Sequence, residues 1–247
     1  YGNIGLKLSY SYNEEEPSKN YENDYSGINK FQTFLSLIYD LKFDENWKLR
    51  ISGKMFYDFV FGFKGRGNFS KEVLDDSEKG VELGELFLEG ILFKNLDIKM
   101  GKQIVDWGVA NSLRVVDVLN PTDNREFGMA DLEDTRIPIN MTRLDYFFGD
   151  IKLEVIAVHE IKFNKSAPYG SDFNPSDQNI NEVMPESNTR NTEYGLAIVG
   201  IFRGWDMSLN WADYFNDNVH YKIGSISIIP GIGEFPNYEM HHSRVNM

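Results

Sequence analysis

The chain has 247 residues, a formal net charge of −13 and no cysteine. The lack of cysteine excludes disulfides, thiolate catalysis and cysteine metal sites. The acidic balance, without a visible basic stripe, argues against nucleic acid as a partner. No apolar run reaches the roughly 18 residues that a transmembrane helix needs.

Aromatic residues make up 14% of the chain although its mean hydropathy is −0.41. This combination is expected where apolar and polar residues alternate, with one face in lipid and the other in water. The run 30–43 shows the pattern: Leu37 and Tyr39 fall on one face, and Ser36 and Asp40 on the other. A period of two predicts a β-strand.

The same period recurs in chain order and predicts a succession of paired strands. The extended runs are at about 3–12, 30–43, 47–61, 82–93, 96–106, 140–148, 151–159, 192–203 and 205–214, with a weaker one near 219–229. Short hairpin turns are predicted at 44–46, 94–95, 149–150 and 203–204, and long polar connections at 13–29, 64–81, 107–139 and 160–191. Short turns at one end and long loops at the other are typical of an outer-membrane barrel, whose short turns face the periplasm.

Aromatic residues cluster beside the predicted short turns. They are Phe43, Trp47, Phe93, Phe148, Phe202 and Trp205. Amphipathic rings settle at the level of lipid headgroups, so this set predicts one interfacial girdle.

These patterns predict an all-β fold: an antiparallel up-and-down transmembrane β-barrel with an inward-folded loop. Residues 1–247 are predicted to form one domain with about 9–10 strands, an incomplete part of a larger barrel. The sequence HHSRVNM at 241–247 resembles the beginning of another strand, so we expect further strands after Met247, and others could precede Tyr1.

The connection at 107–138 contains many charged residues and also many apolar ones, such as Leu113, Val116 and Leu119. A fully solvated loop would not need these apolar residues, so the loop is predicted to fold inward and narrow the lumen. Charged side chains can form a selectivity constriction, and the same charges could instead only fasten a plug. The predicted constriction and lumen residues are Gln103, Asp106, Trp107, Arg114, Asp117, Asn120, Asp123, Arg125, Glu126, Asp134, Arg136, Arg143 and Asp145.

Three motifs in this region carry a family resemblance. They are G-K-Q-x-x-x-W-G at 101–108, R-V-x-D-V-x-N-P-x-D-x-R-E at 114–126 and L-E-D-x-R-x-P at 132–138. The set resembles the signature of a Gram-negative outer-membrane β-barrel family known mainly as a domain of unknown function. The resemblance implies location in the outer membrane and a link to export or uptake of hydrophobic compounds alongside inner-membrane transporters. Full members of that family are about twice as long, which agrees with an incomplete barrel.

Other chemistry is weakly represented, and no cofactor, metal site or enzymatic activity is expected. His241 and His242 are adjacent, so in a strand they point to opposite faces and form a poor chelate. The segment 172–182 begins like a calcium loop but lacks the mid-loop glycine and the final acid. No nucleophile elbow or catalytic triad is visible.

Four functions stay open from the sequence. The first is a porin-like channel or transporter for small solutes or hydrophobic compounds. The second is a structural or docking barrel with a blocked lumen that serves a partner protein or export complex. A soluble β-rich binding module, for instance a surface lectin, and an enzyme are the others. For the barrels, the expected partners are outer-membrane lipid and lipopolysaccharide, with a periplasmic, inner-membrane or surface-associated protein as a further candidate.

Overall fold

The computed structural model describes residues 1–12, 25–107, 116–126, 128–129, 135–174, 181–229 and 233–247. Antiparallel strands dominate these residues, which confirms the all-β class. None of the helices in these ranges combines the length and the apolar character needed to cross a bilayer.

Strands and two short helices follow one another along the chain. They are β1 (Gly2–Ser11), β2 (Gly27–Lys42), β3 (Trp47–Asp58), α1 (Val60–Lys64), α2 (Lys71–Ser77), β4 (Lys79–Phe93), β5 (Leu96–Gln103), β6 (Asp123–Asn124), β7 (Ile139–Phe148), β8 (Ile151–Val158), β9 (Lys165–Ser166), β10 (Asn181–Val183), β11 (Glu193–Phe202), β12 (Trp205–Phe215), β13 (His220–Ile229), β14 (Gly233–His241) and β15 (Arg244–Asn246). A turn of 3₁₀ helix lies between the two α-helices at Arg66–Asn68.

Ten of these strands form one antiparallel sheet in the order β1-β2-β3-β4-β5-β7-β8-β11-β12-β15. The four predicted hairpin turns are confirmed, since they join β2 to β3, β4 to β5, β7 to β8 and β11 to β12. Gly149 and Gly204 have φ values of 62° and 91° in two of these turns, a conformation that glycine adopts without strain. Alternation of short and long connections places all short turns at one end of the sheet.

The large sheet has its apolar side chains on an exposed face. Ile4 and Leu8 of β1 are 79% and 64% exposed, and Leu209 of β12 is 71% exposed. The opposite face is the one that the 104–138 connection covers, and it carries buried charged residues such as Glu154. We call these the outer face and the inner face. A soluble sheet normally shows the reverse arrangement, with apolar residues covered and charges in water.

A bulge in β4 preserves this arrangement of faces. The register between β3 and β4 shifts between Ile51 and Gly53. The Ser52 hydroxyl accepts a hydrogen bond from the backbone N–H of Glu85 at 2.7 Å, next to the shift. One extra residue moves the side chains that follow to the other face. Leu86 therefore points outward and Phe87 is buried on the inner face.

The predicted strand 47–61 is wrong at its end, because β3 stops at Asp58 and Val60–Lys64 is helical. The Asp58 carboxylate accepts hydrogen bonds from the backbone N–H groups of Phe31 and Val60, at 3.0 and 3.1 Å. Val60 and Phe61 then turn away from the outer face and pack into a small cluster with Phe69 and Val73. Burial of these side chains outweighs the continued alternation of the sequence.

The long connections also contain structure that the sequence did not predict. The weak strand near 219–229 exists as β13, but it pairs with β14, which pairs with β10, in a separate three-stranded sheet. The connections at 107–139 and 160–191 meet through the parallel pair β6 and β9. Helix α2 interrupts the connection at 64–81, and the Ser70 hydroxyl caps its first turn by accepting from the Val73 N–H.

Strands β1 and β15 are the two edges of the large sheet within the described ranges. The sheet is therefore open there, and the predicted closure into a barrel is not observed among these residues. The main hydrophobic cluster lies on the inner face of β7, β8, β11 and β12, at the end that carries the long connections. Its members include Ile139, Met141, Ile156, Val158 and Ala197.

Candidate functional site: the inner loop

The 104–138 connection lies across the inner face of the sheet, and we call it the inner loop. Its described parts are 104–107, 116–126, 128–129 and 135–138. Val105, Trp107 and Leu119 of the loop belong to the main hydrophobic cluster. The apolar residues of this loop thus cover the apolar patch of the inner face.

Asn120 joins the two ends of the inner loop. Its side-chain oxygen accepts from the Val105 N–H at 2.8 Å, and its amide nitrogen donates to the carbonyl oxygens of Gln103 and Ile137 at 3.2 and 3.0 Å. Asn120 is fully buried. The buried Gln103 side chain donates to the carbonyl oxygens of Lys99 and Met141, both at 3.1 Å, and so extends the same network to β5 and β7.

Arg136 forms the second anchor, at the base of the loop. Its Nε donates to Asp117 at 2.6 Å, and its Nη2 lies 3.0 Å from Asp106. The Arg136 and Asp117 side chains are only 9% and 2% exposed, whereas Asp106 is half exposed. An arginine that holds two carboxylates fixes their orientation as well as their charge.

Trp107 anchors the loop to β8 and β11. Its indole N–H donates to Glu154 at 2.6 Å, and Lys152 pairs with the other oxygen of that carboxylate at 2.8 Å. The ring lies directly above Gly195, where an added Cβ would come within 2.6 Å of it. Glycine at this position is needed for the close approach of the indole to the strand.

Arg125 and Glu126 tie the loop to the opposite side of the sheet. Arg125 is paired with Asp123 next to it in the loop, with Asp76 of α2 at 3.1 Å and with Glu82 of β4 at 2.6 Å. Glu126 pairs with Lys30 of β2, and Lys7 of β1 lies 3.7 Å away. The loop therefore spans the inner face from β8 to β1.

Neighbouring cations control the protonation of two loop carboxylates, Asp123 and Glu126. Burial alone would raise the pKa of Asp123, but the hydrogen bonds from Arg125 outweigh it and hold this pKa below its usual range. Burial likewise disfavours ionised Glu126, yet the Lys30 ammonium holds the pKa of that carboxyl below its usual range. Both carboxyl groups are thus ionised at neutral pH.

Arg143 and Asp145 of β7 do not contact the inner loop through the ion pairs described. They pair with each other at 3.0 Å, and each leaves one buried polar atom without a hydrogen-bond partner in the described residues. The sequence prediction had the loop charges meeting Arg143, Asp145 and Glu154. Among the described residues, the loop reaches Glu154 through the neutral indole N–H of Trp107, and no ion pair joins a loop charge to any of these three residues. Arg114 and Asp134, also predicted as site residues, lie outside the described residues.

Several contributors were not predicted from the sequence as site residues. Glu82, Lys30 and Lys7 hold the far side of the loop, and Asn164 accepts from the backbone N–H of Thr122 at 2.5 Å. Alternation alone places Lys30 on the inner face, but no local pattern indicates which loop residue it meets.

A sequence model of one protein family matches residues 9–242, which is almost the whole chain. The chain belongs to the family described as "Protein of unknown function (DUF1302)". This confirms the resemblance to a family of unknown function. None of the curated proteins and none of the solved structures compared with the DUF1302 chain gives a significant match.

The match of the DUF1302 family covers both the strands of the large sheet and the inner loop. The anchors described above lie inside the family region, apart from Lys7 of β1, which precedes it. Among the described residues, no group of three or more His, Asp or Glu side chains is arranged to hold a metal ion. The site is instead a set of ion pairs and amide hydrogen bonds that positions a loop.

Proposed function

We propose that this chain forms a wall of an outer-membrane β-barrel that passes small solutes or hydrophobic compounds through a lumen narrowed by the inner loop. One observation carries the proposal: the large sheet exposes its apolar face and covers its charged face. In water this arrangement would be unfavourable, because apolar surface contributes to stability only when it is removed from water. In a bilayer it is the expected one.

Strand length and aromatic placement support the membrane assignment. Strands β2, β3 and β4 have 16, 12 and 15 residues, and about 9–11 residues suffice for a tilted strand to cross the hydrocarbon core. At the end with the short turns, Trp205 is 74% exposed and Phe93 is 71% exposed. Exposed aromatic rings at a common level are typical of an interfacial girdle.

The edges of the sheet support closure into a barrel. Strand β1 has ten residues, and within the described ranges it pairs only with β2. A long edge strand with an apolar face is a template for aggregation, and closure of the sheet removes such edges. We propose that β1 and β15 are joined through additional strands of the complete barrel.

The inner loop supports the assignment of a narrowed lumen. At the end with the long connections, the loop and its neighbours leave a cavity of about 150 Å³. At the short-turn end, the space above the inner face is about 1090 Å³. The space beside the loop is thus smaller than the space at the short-turn end, as expected if the loop narrows a lumen.

Single-channel recording in planar bilayers tests the proposal. The purified protein, inserted from detergent, is expected to give discrete conductance steps. A boiled sample and a detergent blank serve as controls. A folded barrel changes its gel mobility on boiling. If the protein shows this change but gives no conductance steps, the proposed channel is overturned. A protein that stays monodisperse in buffer without detergent would overturn the membrane assignment itself.

A docking barrel with a blocked lumen is the second candidate. The observation in its favour is the burial of the loop anchors, since Asn120 and Gln103 are both fully buried and the loop-side cavity is small. Such a barrel would show the mobility change on boiling but no conductance steps. The same pair of measurements thus separates the two candidates.

A further inference from the structure

We propose that the 150 Å³ cavity at the loop end of the inner face is a binding site for a monoanionic amphiphile with one aromatic ring, whose acidic head pairs with Lys54. The inference rests on the proposed channel in that it names the class of compound that the lumen would select. The cavity lies between the inner loop, the cluster around α1 and α2, and the inner face of β1–β3.

Lys54 is distinguished by the absence of a counter-ion. It lies on the inner face of β3, half buried, with its ammonium 5.4 Å from the centre of the Phe34 ring. No carboxylate lies within salt-bridge distance of it in the described part of the chain. A half-buried cation whose direct partner is a ring is incompletely compensated, because a cation–π contact replaces only part of its hydration. The carboxylates of Glu82, Glu126 and Asp123 attract Lys54 only from beyond salt-bridge distance.

The other cations of the cavity are already paired. Lys7 and Lys30 both contact Glu126, and Arg125 contacts three carboxylates. Lys54 is therefore the cation of this lining that can take up an anion without breaking an existing ion pair.

The carboxylates of the lining are engaged as well. Asp58 accepts from two backbone N–H groups, Glu126 pairs with lysine, and Asp172 accepts from Asn29 at 3.0 Å. The remaining acids are those held by Arg125. A ligand cation would have to compete with these contacts, whereas a ligand anion meets Lys54 directly.

The apolar part of the lining and the volume define the body of the ligand. Phe56, Phe61, Met129 and Phe173 line the same cavity. These four side chains form an apolar wall in a lining that is otherwise mostly polar and charged, and a volume of about 150 Å³ has room for a benzene ring against that wall. The combination of a single unpaired ammonium with an aromatic wall fits an aryl-alkanoic acid or an acid of similar size.

Fluorine NMR with 3-(4-fluorophenyl)propionate as the probe tests the site, with the protein in lipid nanodiscs. The Lys54→Met variant is expected to bind the probe at least about tenfold more weakly than the wild type, because a hydrogen bond to a charged group is lost. Lys54→Arg should stay within a few-fold of the wild type. Lys42→Met is the matched control, since Lys42 is an exposed lysine of β2 outside this cavity, and its affinity should equal that of the wild type.

Comparison of probes on the wild-type protein makes the test independent of any variant. The carboxylate probe should bind more tightly than the corresponding amide, and the corresponding ammonium compound should bind most weakly. Equal affinity of wild type and Lys54→Met, or equal affinity of the carboxylate and ammonium probes, would overturn the site. Binding that depends on Lys54 in a protein without conductance steps would reject the channel and keep the site.

Discussion

The Asn120 side chain is the contact whose removal should most specifically release the inner loop. In Asn120→Ala, the backbone N–H of Val105 and the carbonyl oxygens of Gln103 and Ile137 each lose a partner at 2.8–3.2 Å. A hydrogen bond contributes about 1 kcal/mol net, so three account for about 3 kcal/mol of local opening free energy. Because about 1.4 kcal/mol corresponds to a factor of ten, opening should become roughly 150-fold more frequent.

Hydrogen–deuterium exchange measured by mass spectrometry reports this opening. Peptides that cover 104–107 and 135–138 should exchange roughly 150-fold faster in the variant, whereas those from β8 and β11 should not change. Asn120→Asp keeps the acceptor but places a buried carboxylate oxygen against the carbonyl oxygens of Gln103 and Ile137, so its effect should be at least as large. Asn140→Ala is the matched control, since the exposed Asn140 side chain contacts only Glu160 within the part of the chain that the structure describes. If both loop ends of Asn120→Ala exchange at the wild-type rate, the view that Asn120 joins them is refuted.

Three further predictions concern the same loop and sheet. Gly195→Ala should destabilise the protein by about 1–3 kcal/mol through a clash with Trp107. Gly62→Ala is the control, because an added Cβ there meets nothing within 4 Å. Thermal unfolding should give a lower midpoint for the first variant than for the second, and equal midpoints would contradict the packing of Trp107 on Gly195. The pKa values of Asp123 and Glu126 lie below their usual 3.8 and 4.5, so their stabilising contribution is present above those values and is lost as the pH falls through the lower folded-state values. After correction for the intrinsic pH dependence of amide exchange, the exchange rates at the two loop ends should therefore stay constant from pH 7 to pH 5 and rise only below about pH 4. A rise near pH 6 would contradict this. The protein should also migrate differently on a gel before and after boiling, as a folded barrel does, and identical migration would count against closure.

The strands and turns could be predicted because the information for them is local. Alternation decides which residues are extended, and the hairpin turns interrupt it where Asp44, Asn95, Gly149 and Gly204 occur. The end of β3 could not be predicted in this way, because Phe59 and Phe61 continue the alternation. Val60 and Phe61 leave the strand only to pack in a cluster whose other members lie later in the chain.

The contacts of the inner loop lie beyond sequence analysis for a related reason. The charged residues of the loop were recognisable by type, but each ionic contact depends on which strand the loop reaches. Arg125 meets Glu82 across 43 positions of sequence, and Glu126 meets Lys30 across 96. Nothing local distinguishes these partners from other charges of the same face, such as Arg143, which pairs within its own strand.

The inverted sheet explains why this chain can hold a charged loop in place. In a soluble sheet, the covered face is apolar and offers few partners to an arginine or a glutamate. Here the covered face supplies Glu82, Lys30 and Glu154 from β4, β2 and β8, so the loop is held at points on both sides of the sheet. A change in the spacing of these strands would therefore alter the loop ion pairs as well. The position of the loop is thus coupled to the sheet through the ion pairs of Arg125 and the hydrogen bond from Trp107 to Glu154. Water screens these contacts only partly, because the Arg125 and Glu154 side chains are 16% and 4% exposed.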